Sequence, residues 1–363
     1  MKYLAVLGRQ PEISLAELES LFGSVQKICS NLAEFQSATE TNINRLGGTL
    51  KLARPITISP LEYLQNLPEG KITLGLSDYG ENSARKVGTE ALKFKKILSR
   101  HGRSVRIIPN REPVLSTATV FHNHLGTKKN HLELIKYHKN WYVGCGVQDI
   151  NAYTRRDQKR PARDAKVGML PPKLAQILIN LCGPLPTKAR VLDPFCGTGV
   201  ILQEATLMGY TPYGTDLNER MIAYSRKNLN ALSEKAFSFS LGVQDATTAT
   251  WKLPISAVAS EIYLGPPLDH IPTDVELAPI KQEIGSLLLR FLKNLSAQID
   301  SGTPVTLAIP AWLRPDDDYQ TLDLLDEITK LRYNVKRYAS DSDLLYHREG
   351  QVVARQLITL RKK

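Results

Sequence analysis

The stretch Val191-Leu192-Asp193-Pro194-Phe195-Cys196-Gly197-Thr198-Gly199-Val200-Ile201-Leu202 constrains this chain more than any other. Two apolar residues end a strand, an acid marks its tip, a short loop holding two glycines turns the chain, and an unbroken helical segment follows. Strand, glycine turn and helix together open an α/β sheet, in which ligands bind beyond the carboxyl ends of the strands. A dinucleotide fingerprint, G-x-G-x-x-G, fails because Leu202 stands where the third glycine belongs, and the G-K-[ST] of a Walker loop is absent. Asp193 is what distinguishes the stretch. A carboxylate there can accept hydrogen bonds from an ammonium group, which suits the methionine end of S-adenosylmethionine (AdoMet). Residues 212–216 read as a second strand ending in Asp216, placed for ribose hydroxyls. Asp245 ends a third strand, at the usual place for adenine contacts. One acid at a strand tip is commonplace; three at successive tips around a G-x-G loop point to AdoMet.

The chain has 363 residues, enough for two or three domains, and 47 Lys and Arg against 36 Asp and Glu give it a charge of +11. That surplus suggests a polyanionic partner without naming it. No apolar run approaches the ~20 residues needed to span a bilayer. Residues 1–7 lack the long apolar region of a signal peptide and read as a first strand. The four cysteines are scattered without a C-x-x-C pair, which argues against a disulfide framework or a zinc site and for a reducing cytoplasm. Cys196, inside the glycine loop, reads as a small residue filling a tight turn.

Taken in order, 2–7 is a strand, and Ser14 with Glu17 carries the capping-box spacing for a helix over 15–22, closed by Gly23. Apolar segments at 25–28 and 32–35 and the Gly47-Gly48 turn into a strand at 49–53 complete a small α+β module. A helix at 60–67, strands at 71–76 and 105–108, and a further strand at 114–121 are expected next. Between them, 83–101 is an amphipathic helix with Val87, Ala91, Leu92, Phe94, Ile97 and Leu98 on one face. Segments 132–137 and 141–147 alternate like hairpin arms about Lys139-Asn140. Between Arg155 and Lys173 seven cations (Arg155, Arg156, Lys159, Arg160, Arg163, Lys166, Lys173) outweigh two acids. This basic linker ends in Gly168-Met169-Leu170-Pro171-Pro172 before an apolar helix at 173–181, and is a candidate to bring phosphate-binding side chains to the lip of the pocket.

From 189 on, strands (191–192, 212–215, 237–243, 257–260, 304–309) alternate with helices (200–208, 218–232, 275–294, 319–331), which implies a mostly parallel sheet. The segments 333–338, 345–346 and 351–360 lack a helix between the last two strands and suggest an antiparallel hairpin closing it.

The fourth strand runs into Glu261-Ile262-Tyr263-Leu264-Gly265-Pro266-Pro267-Leu268. Methylating an exocyclic amine on a base requires help, because the nitrogen lone pair is delocalised into the ring. A side-chain oxygen and a backbone carbonyl that both accept the amine's protons let the nitrogen pyramidalise, while an aromatic ring holds the base. The usual sequence is [D/N]-P-P-[Y/F]. Read from Glu261, the chain keeps an acid and shifts the aromatic; read from Gly265, it keeps both prolines and loses acid and aromatic. The first register is preferred, because Glu261 directly ends the strand, sixteen residues after Asp245.

With these residues in hand, the chain resembles the THUMP-associated tRNA guanosine N2-methyltransferases, the family that includes the guanosine-10 enzymes. The marks are Tyr3-Leu4-Ala5-Val6-Leu7-Gly8-Arg9, Ser14 through Leu18, Leu46 through Lys51, Arg156-Asp157 with Lys159-Arg160-Pro161, Met169 through Leu174, and Asp193 through Gly199. The resemblance implies an α/β architecture: a ferredoxin-like α+β module over 1–58, a THUMP-like RNA-binding domain over 59–149, a basic linker over 150–172, and a class I, Rossmann-like methyltransferase domain over 173–363 with a mostly parallel seven-stranded sheet. It implies AdoMet held by Asp193, Phe195, Gly197, Gly199, Asp216 and Asp245. Glu261, the Ile262 carbonyl and Tyr263 take the catalytic places, with no metal. Arg155, Arg156, Lys159, Arg160, Arg163 and Lys173 are the candidate contacts to a tRNA substrate. A small activator subunit, or none, stays open. So do two other readings: the same chemistry on adenine N6 in RNA or DNA, and an RNA-binding protein with weakened or lost catalysis.

Overall fold

Two β-sheets organise residues 1–80, 82–164, 169–232, 238–339 and 343–363, the residues that the computed structural model describes. Lys166 and Gly168 of the basic segment, and Phe237 at the start of an expected strand, lie outside them. Contacts divide the chain into two units, Met1–Pro11 with Phe22–Thr154 and Glu12–Leu21 with Arg155–Lys363.

The chain opens with β1 (Lys2–Leu7) and α1 (Pro11–Phe22), then β2 (Val25–Cys29), β3 (Leu32–Gln36) and β4 (Thr49–Pro55). After α2 (Pro60–Gln65) come β5 (Ile72–Asp78), α3 (Ala84–Arg100), β6 (Val105–Ile107), α4 (Thr117–His122), β7 (His131–Tyr137), β8 (Asn140–Val147) and α5 (Ile150–Gln158). The eight strands form one sheet in the order β2-β3-β1-β4-β8-β7-β5-β6, so the strands expected for two modules run continuously through the β4–β8 pair. Helix α3 buries Val87, Ala91 and Leu98 at helical spacing against β5. Leu92, expected on that face, is 58% exposed.

Three local expectations change here. The strand expected at 114–121 is α4, because the Ser116 hydroxyl accepts from the Thr119 amide at 3.1 Å and so satisfies a first-turn donor. Part of the expected linker is α5, started in the same way by Asp149, whose Oδ1 accepts from the Ala152 amide at 2.8 Å. Ser14 and Glu17 do not cap α1. The helix begins at Pro11, whose fixed φ and missing N–H suit a first turn. Both residues are buried within it, and Glu17 accepts from Asn180 Nδ2 at 2.8 Å.

The second unit contains α6 (Pro172–Leu181), β9 (Arg190–Asp193), α7 (Val200–Leu207), β10 (Thr211–Asp216), α8 (Glu219–Asn230), β11 (Ser240–Val243), β12 (Ala257–Glu261), α9 (Asp274–Ser296), β13 (Pro304–Leu313), β14 (Tyr319–Gln320), α10 (Leu325–Lys330), β15 (Tyr333–Val335), β16 (Leu345–Tyr346) and β17 (Val353–Lys362). The sheet has nine strands rather than seven and is mixed. Its path is β11-β10-β9-β12-β13-β17-β15, with β14 beside β13 and β16 beside β17. The first five strands of the path are parallel, and every pair involving β14 to β17 is antiparallel. The closing antiparallel arrangement matches the absence of a helix there. The helix expected over 319–331 is reduced to α10, because Asp317, at φ +62°, turns the chain back and pairs β14 with Trp312 and Leu313.

Apolar cores fill both faces of this sheet. One holds Val258, Leu288, Phe291, Leu307 and Trp312; the other joins α6 and α7 to Ile13 and Ala16 of α1. Burying each such large side chain contributes about 1.5–3 kcal/mol, and together they fix the strand tips.

Candidate active site

All three strand-tip acids lie where the parallel strands end. Asp193 closes β9, Asp216 closes β10, and Asp245 follows β11 by two residues. The loop between β9 and α7 is built by side chains that sequence spacing does not reveal. The Cys196 amide donates to the Thr215 carbonyl at 3.0 Å. The Ser225 hydroxyl donates to the Gly197 carbonyl at 2.7 Å, and Asn228 Nδ2 donates to the Thr198 carbonyl at 2.9 Å. Gly197 and Gly199 have φ of +50° and +84°, the left-handed region that glycine occupies without strain. At Gly199 a Cβ would also lie 2.8 Å from Ser225 Oγ. In the middle of β10, a Cβ on Gly214 would run into Leu202 of α7, so that glycine sets the helix–strand spacing. A glycine inside a strand was the available signal for it.

The acids occupy three different environments. Asp193 is 2% exposed; its Oδ1 accepts from Ser260 Oγ at 2.6 Å and from the Phe195 amide at 3.3 Å. Burial pushes its carboxyl up to about 7, and those two bonds only partly offset the rise. Asp216 is half-buried and accepts from the Gly197 and Asn218 amides, both at 2.9 Å. Asp245 is exposed; its Oδ1 accepts from the Thr247 amide and hydroxyl, both at 2.8 Å, which holds its carboxyl below the ordinary range. Phe195 packs edge-on against Phe291, with ring centroids 5.2 Å apart. Cys196 is buried and its thiol is pushed well up by burial, the state of a turn-filling side chain.

The residues fit AdoMet by a separate observation. Apolar side chains stand uncovered beside the acids: Leu217 is 72% exposed next to Asp216, and Val243 is 51% exposed at the end of β11. A Cβ on Gly197 would meet nothing within 4 Å, so the turn opens onto free space. Uncovered apolar surface flanked by acceptors suits a nucleoside.

At the tip of β12, Glu261 is partly buried and Ile262 is 2% exposed, while Tyr263 is 44% exposed. The Ile262 amide donates to the Ala308 carbonyl at 3.1 Å, which fixes the backbone. Gly265 has φ +91°, and a Cβ there would lie 3.1 Å from Ile280, so the turn after Tyr263 requires glycine. The Ser260–Asp193 bond joins this segment to the glycine loop. Glu261 is not free: Arg355 Nε donates to its Oε1 at 2.5 Å. Burial raises the Glu261 carboxyl and Arg355 pulls it back down. Neither Ser260 nor Arg355 had a sequence signal, because both act across strands that only the fold brings together.

The basic candidates divide. Arg155, Lys159 and Arg163 are exposed. Arg156 Nε donates to the buried Glu204 at 2.6 Å. Arg160 is 7% exposed; its Nη2 points to Met169 Sδ at 3.4 Å, while Nε and Nη1 have no partner among the described residues. Lys173 is partly buried, which lowers its ammonium.

Residues 159–250 match the UPF0020 family model, described as an RMKL-like methyltransferase domain. The chain is 30% identical over 179 residues to the tRNA (guanine(10)-N2)-dimethyltransferase of Methanothermobacter thermautotrophicus, which covers 48% of this chain and 47% of that one. It is 41% identical over 109 residues to the protein of that name from Pyrococcus abyssi, covering 29% and 31%. The chain thus spans about half the length, or less, of these curated relatives. The crystal structure of TrmN from Thermus thermophilus superposes with a TM-score of 0.52 at 18% identity, covering 100% of each chain. The chain has the class I, Rossmann-like methyltransferase fold built on mixed sheets, and its residues 159–250 are similar to the UPF0020 methyltransferase domain.

Proposed function

We propose that this protein transfers a methyl group from AdoMet to the exocyclic N2 amine of a guanosine in tRNA. The observation that supports the reading is the Ser260–Asp193 hydrogen bond of 2.6 Å, which ties the strand end that carries Glu261 to the glycine loop. The names of the archaeal relatives supply the substrate class.

In this reading Gly197 and Gly199 let the backbone approach the cofactor, Asp193 and Asp216 orient its amino-acid and ribose parts, and Asp245 faces the adenine. Bound AdoMet supplies an electrophilic methyl on sulfonium. Glu261 and the Ile262 carbonyl accept the two amine protons, which turns the nitrogen lone pair out of the ring plane. AdoMet, when bound, would supply the methyl group to the amine nitrogen and retain the electron pair of its S–C bond, and Glu261 would pass the surplus amine proton on to solvent. Tyr263, exposed at the lip, stacks on the base. Orientation is the main contribution, and displacing the acceptor by ~1 Å costs ~10²-fold.

The first unit is read as ferredoxin-like and THUMP-like elements that grip tRNA, and Arg155, Lys159 and Arg163 as the phosphate contacts nearest the methyltransferase domain. A cytoplasmic setting fits four free cysteines. A second reading, an RNA-binding protein without turnover, is favoured by one feature: Glu261 already carries an ion pair with Arg355.

The test is incubation of the full chain with labelled AdoMet and unmodified total tRNA, followed by nucleoside mass spectrometry. N2-methylguanosine whose formation falls steeply, to a small residual rate, with Glu261→Ala supports the proposal. AdoMet binding without any methylated nucleoside sinks it.

A further inference from the structure

Arg355 is an unusual residue to find in a central antiparallel strand, 6% exposed and between two neighbours. Its register partners are Pro310 on β13 and Tyr346 on β16. Glu261 registers with Ala308 on the other side of β13. Residues in register project from the same face, and positions two apart along a strand share a face. Glu261, Ala308, Pro310 and Arg355 therefore lie on one side of the sheet, with β13 between the acid and the guanidinium. The methyl group of Ala308 leaves the guanidinium a path across the strand, and Nε donates to Glu261 Oε1 at 2.5 Å. Their side chains are 7% and 15% exposed, so water screens the pair weakly.

This pairing answers a problem posed by the sequence. Glu261 has one more rotatable bond than the aspartate usual at such a site, and Ile262 stands where a proline would stiffen the backbone. A free glutamate there would sample several positions. A charge-assisted hydrogen bond from a side chain that is itself packed restricts it to one.

We propose that Arg355 is a positioning residue for methyl transfer: it pins Oε1 of Glu261, fixes the plane of the carboxylate, and leaves Oε2 to accept the guanine amine. The inference rests on the proposed function and deepens it. Among the described residues, the charged groups that act on this carboxylate are Arg355 from β17 and Asp193 from β9, and Tyr346 of β16 is in register with Arg355. Arg355 opposes the rise that burial imposes on Glu261, so its removal shifts the acid limb of the rate profile upward.

The experiment measures initial rates of tRNA methylation by the full chain as wild type, Arg355→Gln, Arg355→Lys, Glu261→Ala and the double variant Glu261→Ala/Arg355→Gln. Rates are taken from about pH 5.5 to about pH 8.5, with AdoMet affinity measured by calorimetry. Arg355→Gln is expected to lose roughly 10–100-fold in kcat with KM for tRNA within about 2-fold, and to move the acid limb to higher pH. Arg355→Lys, which restores the charge but not the planar guanidinium, should keep the original limb and recover only part of the rate, staying about 2–10-fold below wild type. The double variant should be no slower than Glu261→Ala alone, since Arg355 acts through Glu261. An active wild type whose Arg355→Gln variant keeps its kcat and pH profile overturns this inference and leaves the proposed function standing. So does a double variant clearly slower than Glu261→Ala. A wild type that methylates no tRNA overturns the proposed function and this inference with it. Should Arg355→Gln fail to bind AdoMet through misfolding, Arg355→Lys decides: an unshifted limb with kcat lowered about 2–10-fold supports positioning, and a wild-type rate overturns it.

Discussion

Asp193 shows what a residue's environment adds to its position. Its place at a strand tip was legible, but its burial was not, because Ser260 reaches it only once β9 and β12 pair. Its folded carboxyl titrates at about 7, above the ordinary value of 3.8. The native state therefore binds more protons than the unfolded chain between those values, and stability falls as pH rises from about 4 to about 7, then stays level. Asp193→Asn keeps an oxygen for Ser260 and the Phe195 amide and removes the buried charge. It should raise the thermal midpoint by a few degrees near pH 8 and leave it unchanged near pH 4, while weakening AdoMet binding about 10-fold near pH 8 through loss of the ammonium acceptor. A scan of melting against pH, with calorimetry at the upper end, decides this; an equal gain at both pH values would mean the charge is not the cause. Gly199 makes a simpler case. Gly199→Ala combines a left-handed φ with a Cβ 2.8 Å from Ser225 Oγ, so about 1–3 kcal/mol of stability should be lost in denaturant unfolding.

Helix α5 shows where charge patterning stops being informative. A run of seven cations reads as one basic surface, yet among the described residues the fold sets its members in different surroundings. Arg156 neutralises Glu204, whose side chain is 1% exposed, whereas Arg155, its neighbour in sequence, is exposed. Removing Arg156 leaves a buried carboxylate without its counter-charge, a loss of about 3 kcal/mol; removing Arg155 should change stability by less than about 0.5 kcal/mol. Comparison of Arg156→Ala and Arg155→Ala by urea unfolding checks this, and equal losses would refute the assignment. The same limit explains α4, expected as a strand from its apolar residues and made a helix by the Ser116 cap. It also explains Ser14 and Glu17, whose capping-box spacing occurs within a helix that Pro11 has already begun. Local patterns locate apolar segments reliably. Which polar residues cap, pair or sink into the core depends on partners far away in sequence, as Glu17 and Asn180 illustrate.

For the whole molecule, charge and shape make different predictions about the reaction. The +11 surplus acts on a polyanion over long range and is screened by salt. The hydrogen bonds that fix Asp193 and Glu261 are buried and short, so salt reaches them weakly. If tRNA is the substrate, raising salt from about 50 to about 200 mM should increase KM for tRNA by ~10–1000-fold, as expected for a handful of phosphate contacts, while kcat at saturating tRNA and AdoMet affinity stay within about 2-fold. Substituting the exposed cations Arg155, Lys159 and Arg163 together with alanine should lower the slope of log KM against log salt by up to ~3, without altering thermal stability. The steady-state measurement separates two accounts of the charge. A KM that ignores salt would mean the surplus cations are a solvated surface with no part in tRNA binding. A kcat that falls in step with KM would instead mean that salt loosens the methyl-transfer geometry itself, contrary to the burial of the Glu261–Arg355 and Asp193–Ser260 contacts.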